Sequence, residues 1–293
     1  MRLRRVNVMW LAGMAFCLLS GVASAQGPGA VRKQVEASML LKGEIDIGVD
    51  GAVEGIGIER ETEIPSGVAS FFRDAAMQWT FEPIVQDGVP VAARAPMSVR
   101  LTAKKLESGD YEIRIVNASF DRYDPEDRTS VRFQKQKAPS YPADAIRAGV
   151  AGDVYALVKV GRDGRVVEVV SEQVNLHAVA SERAMRTWRE VLARASEKAI
   201  KDWTFLVPSE GAAADKPYWV VRVPIRYRLS QSPAGRVDHY GTWEAYIPGP
   251  LASVPWRDAE RSSGDSPDAL VDGGIYMDGE GRGPRLLTPL DRS

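Results

Sequence analysis

Cysteine is almost missing from this sequence: among 293 residues only Cys17 carries a thiol, so no intramolecular disulfide can form. Any fold must therefore rest on packing alone. Histidine is nearly as scarce, with only His177 and His239. They stand far apart and in no ligand spacing such as H-E-x-x-H, which argues against a histidine metal site or a catalytic triad. Neither a G-x-S-x-G nor a P-loop pattern occurs. The glycines at 279, 281 and 283 have no strand before them or helix after them to cradle a phosphate. The acidic residues Asp121, Asp124, Glu126 and Asp127 lack the glycine and ordered spacing of a calcium loop. Charge of one sign is also lacking: 38 basic residues face 39 acidic ones, for a net charge of −1. No global field is present to hold nucleic acid or an anionic membrane. These absences lead us to expect a protein that is not an enzyme, with no catalytic residues, no metal and no cofactor.

Long apolar runs are confined to one place. Arg2, Arg4 and Arg5 precede an apolar stretch from Val6 to Leu19, which ends in the small residues Val22, Ala23, Ser24 and Ala25. That order of charged, apolar and A-x-A segments predicts a signal peptide over 1–25, removed after Ala25 in the course of export across a bacterial inner membrane. Val6-Asn7-Val8 fits poorly behind a twin-arginine pair, and Phe16 before Cys17 disfavours lipoprotein processing, so the general secretory route is expected. No later run approaches the roughly 18 residues of a membrane span, and the expected location is the periplasm.

What the chain does contain is an internal repeat. A first set of anchors runs Gly43, Asp50-Gly51, Trp79-Thr80-Phe81, Pro96 and Arg100-Leu101. A second runs Gly152, Asp163-Gly164, Trp203-Thr204-Phe205, Pro224 and Arg228-Leu229. In each, an alternating run broken by Asp-Gly predicts a β-hairpin, because that dipeptide tolerates the positive φ of a tight turn. Val68, Phe71, Phe72, Ala75, Ala76 and Trp79 recur at helical spacing, as do Met185, Trp188, Val191, Leu192, Ala195, Ala199, Ile200 and Trp203. The gap from Asp-Gly to Trp is 11 residues longer in the second copy, about three more helical turns. Each copy closes with a strand, around 92–102 and Tyr218 to Leu229, where Pro96 and Pro224 indicate an edge or a bulge. The predicted class is α+β: two tandem antiparallel-sheet-plus-helix domains, over 34–120 and 138–230. A polar linker at 121–137 separates them, and a mostly disordered tail occupies 231–293. Trp79, Phe81, Trp203 and Phe205, at the ends of amphipathic helices, are expected in the core.

The second copy resembles the C-terminal domain of the TonB family of energy transducers. The residues that carry this are Tyr141-Pro142-Ala143-Asp144-Ala145-Ile146-Arg147-Ala148-Gly149-Val150, then Gly152-Asp153-Val154, Asp163-Gly164-Arg165-Val166 and Asp202-Trp203-Thr204-Phe205. The match covers about a third of the chain, and the first copy is a degenerate version. It implies a small antiparallel sheet on helices whose last strand offers its edge to an extended segment of a protein partner, an outer-membrane receptor or another envelope protein in TonB-dependent transport. Carried over by position, the partner-binding edge is Trp219, Val221, Arg222, Val223, Ile225, Arg226 and Tyr227, the arginines facing away from the apolar residues. Family transducers keep an N-terminal anchor and a Pro-rich spacer; a cleaved leader followed by a folded domain implies a free binding module instead. A structural envelope protein that forms homodimers through the same edges, with no transport role, is the alternative. On this reading the mature protein begins at Gln26 and is recovered from the periplasmic fraction. N-terminal sequencing checks it, and retention of Met1 in the inner membrane would overturn it.

Overall fold

The computed structural model describes residues 36–106, 108, 110–229, 240–254, 256, 267–278 and 283–290. The expected signal peptide lies outside the described residues. In chain order the strands and helices are β1 (Glu36–Ile47), β2 (Val53–Ile58), α1 (Ser66–Ala76), β3 (Val85–Gln86), β4 (Val89–Pro90), β5 (Ala93–Lys105) and β6 (Tyr111–Ser119). Then come β7 (Arg132–Lys135), α2 (Ala143–Arg147), β8 (Gly152–Gly161), β9 (Val166–Leu176), α3 (Glu182–Ile200), β10 (Thr204–Leu206), β11 (Tyr218–Tyr227), β12 (Glu244–Tyr246) and β13 (Tyr276–Met277). Of the two main sheets, one has the order β12-β1-β5-β6 with β2 also on β1, and the other β13-β11-β8-β9; β7 with β10 and β3 with β4 form two small pairs. Both main sheets are antiparallel, so the class is α+β.

The repeat is visible atom by atom at the hairpin turns. Gly51 has φ 83° and Gly164 φ 74°. The Gly51 amide donates to the Gly48 carbonyl and the Gly48 amide to the Ala52 carbonyl. In the second copy Gly164 donates to Gly161 and Gly161 to Arg165. Asp50 Oδ1 accepts from the Ala52 amide, and Asp163 Oδ1 from the Arg165 amide. The Phe81 amide then donates to the Gly51 carbonyl, as the Phe205 amide does to that of Gly164. Asp-Gly and Trp-Thr-Phe recur together in the sequence because they touch in the fold.

Each helix buries one stripe on its own sheet. From α1, Val68, Ala69, Phe72 and Ala76 pack with Leu41, Ile45, Val99 and Leu101; a fully buried side chain of this kind contributes about 1.5–3 kcal/mol. From α3, Met185 and Leu192 pack with Val154 and Leu176, and Ile200 with Val158 and Val160. The helix α3 has 19 residues against 11 in α1, which accounts for most of the longer spacing; the rest lies in β9. Its first turn is capped by the Ser181 hydroxyl, which accepts from the Ala184 amide. Trp79, Phe81, Trp203 and Phe205 are all buried in these cores.

Two expected boundaries are corrected. The stretch 121–137 is not a linker: β7 pairs with β10, and Phe133 lies edge-on to Trp203 at 5.6 Å. The charged residues around Val131 and Phe133 obscure a short alternating strand. The described parts of 231–293 are likewise no disordered tail. Strand β12 pairs with the start of β1, Ile247 bridges to Leu176, and β13 pairs with β11. Tyr246, Ile247, Val254, Ala269, Leu270, Ile275 and Tyr276 are buried there. Isolated apolar residues without periodicity fold here because two sheets already stand ready to receive them.

A Cβ on Gly164 would lie 2.1 Å from the Phe205 carbonyl oxygen, in a backbone region that costs a non-glycine residue about 1–3 kcal/mol before any clash. Gly164→Ala is therefore expected to lower unfolding free energy by at least that amount, read from urea denaturation. An unchanged midpoint would contradict the turn geometry.

Candidate functional site

Strand β11 runs antiparallel to β8 without a register break, from Tyr218 opposite Gly161 to Tyr227 opposite Gly152. Alternation along the strand sends odd and even side chains to opposite faces. Trp219, Val221, Val223 and Tyr227 are buried against the helix side, and Ile225 is half-buried there. The Trp219 Nε1–H donates to the Ala213 carbonyl at 2.9 Å, and the Tyr227 hydroxyl lies 2.9 Å from that of Ser196. These five predicted site residues therefore hold the strand in place and present no side chain to a partner. Of the predicted set, Arg222 and Arg226 face the other way.

On that other face the arginines are not bathed in solvent: each is paired with carboxylates of this same chain. Arg222, whose side chain is 11% exposed, grips Glu172 with Nε–Oε2 2.8 Å and Nη2–Oε1 3.1 Å, and reaches Asp278 at 3.2 Å. Arg226 lies 3.4 Å from Asp153 and 3.8 Å from Asp272. Arg228 lies 2.9 Å from Asp153 and 3.3 Å from Glu244. Glu244, Asp272 and Asp278 all come from the C-terminal segment.

That segment also occupies the outer edge of β11. Val221 pairs with Met277, Arg222 with Tyr276, and the Asp278 amide donates to the Val220 carbonyl. Since Val220 points its carbonyl outward, Arg222, Pro224 and Arg226 point their backbone groups the same way. Among the described residues no strand covers this edge from Pro224 onward, and Pro224 has no N–H to leave unpaired. The first copy closes the matching edge differently: β6 pairs with β5 from Ser98 opposite Ser119 to Lys105 opposite Tyr111. One edge is sealed by a strand of nine residues, the other by a strand of two.

Behind this edge lies a buried polar cluster that joins both sheets. His177, with a side chain 5% exposed, has Nε2 3.1 Å from Asp153 Oδ2 and Nδ1 2.9 Å from the Ala245 carbonyl. Burial alone would push the Asp153 carboxyl up, but Arg226, His177 and Arg228 together hold it well below the ordinary carboxylate range. The 3₁₀ turn Pro267–Ala269 sits between the helix-free faces of the two sheets. The Asp268 carbonyl accepts from Arg100 Nη2 at 2.8 Å and from the Tyr155 hydroxyl at 3.3 Å. Its carboxylate accepts from Asn117 Nδ2 at 2.7 Å and from the Tyr246 hydroxyl. Burial and the adjacent Asp268 carboxylate push the Tyr246 phenol far above its usual range. Sequence reasoning missed His177 and Asp153 as structural partners. A signal existed in β8: Asp153, Tyr155 and Leu157 share the face opposite the core, too apolar a set to stand in water.

Among the described residues no group of three or more His, Cys, Asp and Glu side chains is arranged to hold a metal ion, and no helix is long and apolar enough to cross a membrane. A cavity of about 760 Å³ lies between β6, the 267–270 turn and residues 283–290, and an open cleft of about 630 Å³ between Gly43, Arg94 and Arg122. Neither is lined by a nucleophile hydrogen-bonded to a base. No protein-family model, curated protein or solved structure matches this chain.

Asp153→Asn leaves two half-buried guanidinium groups short of a counter-charge, so a loss of about 3 kcal/mol is expected. The depressed Asp153 pKa makes its contribution fully present above the unfolded-state value near pH 4, lost as the pH falls toward the lower folded-state value. Chemical denaturation of both chains at pH 7 and below pH 4 should show their difference shrinking with acid. A constant difference would contradict the ion cluster.

Proposed function

We propose that this is a periplasmic protein-binding module of TonB C-terminal type, which binds an extended segment of an envelope protein along the outer edge of β11. Binding, and not catalysis, is its role. The observation that carries this reading is the contrast between the two copies: the β5 edge is sealed by nine residues of β6, the β11 edge by two residues of β13, with Pro224–Tyr227 beyond it. Strand addition takes affinity from main-chain hydrogen bonds, which an edge with outward carbonyls and amides supplies. The sequence resemblance points to an outer-membrane receptor of TonB-dependent transport as the partner. The rival role, homodimerisation for envelope structure, needs the same edge to meet its own copy.

Photo-crosslinking in cells separates the two. A benzoylphenylalanine placed at Tyr218, exposed at the start of β11, is expected to form an adduct with one envelope protein, through one extended segment of it. The same probe at Val49, on the distant hairpin turn, should not. Adducts only between copies of this chain would favour the structural rival, and adducts only within one chain would overturn both.

A further inference from the structure

The segment that already lies on β11 indicates what the edge selects. Gly273, at φ 84°, and Gly274 turn the chain so that Ile275, Tyr276, Met277 and Asp278 run along the strand. The Tyr276 ring is buried with Tyr155 and Leu270, and two residues later the Asp278 carboxylate meets Arg222 at 3.2 Å. Asp272 approaches Arg226 at 3.8 Å. If this segment lifts away, Arg222 keeps Glu172, but among the described residues Arg226 keeps only Asp153, which it shares with Arg228. Guanidinium groups so little exposed are costly without their carboxylates, so whatever replaces the segment must return both an apolar ring and negative charge. A neutral or basic strand could satisfy the backbone and still leave Arg226 short.

We propose that residues 272–278 act as an intramolecular stand-in for the partner, and that the β11 edge selects an extended acidic peptide with carboxylates four positions before and two positions after an aromatic residue. This rests on the reading of β11 as a docking edge and adds the partner's chemistry and its competitor. The stand-in regulates by mass action: held in the same chain, it competes at a high effective concentration and sets the threshold an external segment must exceed. Its short pairing makes that threshold low. A strand as long as β6 would exclude exchange.

The test uses the full chain and a fluorescent peptide of the sequence Val-Asp-Gly-Gly-Ile-Tyr-Met-Asp, which is that of residues 271–278. In the full chain carrying Tyr276→Ala and Asp278→Asn, the peptide is expected to bind at least about tenfold tighter than in the wild type, because its competitor is weakened. A peptide with Asn for both Asp residues should bind about tenfold or more weaker at low salt. Hydrogen exchange at the Arg222 amide reports the edge independently: it should quicken in the substituted chain and slow again with peptide. Equal binding of the acidic and amide peptides would overturn the acidic selectivity and leave strand addition standing. A quickened Arg222 amide with no peptide bound would overturn strand addition itself. An Arg222 amide that stays protected in the substituted chain would show that the segment is no stand-in. Should that chain fail to fold, Val220→Cys with Asp278→Cys provides the second route, since no other cysteine follows Cys17. Oxidation should abolish peptide binding and reduction restore it; binding unaffected by oxidation would overturn the proposal.

Discussion

Arg100 lies enclosed between two sheets, and its charge has to be answered inside the protein. It has left water, so only partners brought to it can compensate. They come from three places: Ser38 on the neighbouring strand, the Asp268 carbonyl from the C-terminal segment, and the field of Asp268, Asp153 and the tyrosines around it. Burial tends to lower the Arg100 pKa, but Tyr155, Asp268, Asp153 and Tyr246 around it raise it above its ordinary value, so the side chain stays charged. The turn at Asp268 is thus held where it is by a cation of the first copy, and through the Tyr155 hydroxyl it touches the second. With Asp268 in place, the chain on either side of it comes within reach of β1 at one end and β11 at the other.

This constraint explains why the two copies are not two beads on a string. Each copy has the same hairpin, helix and returning strand, and in each the carbonyl of the turn glycine receives the amide of the phenylalanine in Trp-Thr-Phe. A lone domain of this kind would keep its helix-free face in water. Here Ser98, Arg100 and Thr102 on β5 and Asp153, Tyr155 and Leu157 on β8 are all buried, because the C-terminal segment fills the space between the faces. Ion pairs and hydrogen bonds dominate that space. Such contacts specify one arrangement through their geometry more than they add net stability.

The difference between the copies lies in how each last strand is finished. The first continues directly into a hairpin partner, so β6 is local in sequence and its pairing cheap in loop entropy. The second has its outer partner some fifty residues downstream, at Tyr276. A long excursion for a two-residue pairing leaves the main-chain contribution small, and the side chains of Tyr276, Asp272 and Asp278 supply much of what keeps the segment down. An edge closed in this way is held by far fewer main-chain hydrogen bonds than one closed by a nine-residue hairpin.

Local chemistry by itself determined the two hairpins, the two helices and the aromatic anchors. Asp50-Gly51 and Asp163-Gly164 demand tight turns, Phe72 and Leu192 fall at helical spacing, and these forces act over a few residues. The alternation along β11 was equally legible, with Val221 and Val223 to one side and Arg222 and Arg226 to the other. What lay on the arginine side was not. Whether Arg222 meets water, a partner or Asp278 depends on a segment more than fifty residues away, whose own composition gives no strand or helix period. His177 and Asp153 are likewise 24 residues apart and meet only because β8 and β9 pair. Only the tertiary structure decided these contacts, because buried charges choose partners by where the sheets bring them, and no local propensity encodes that distance.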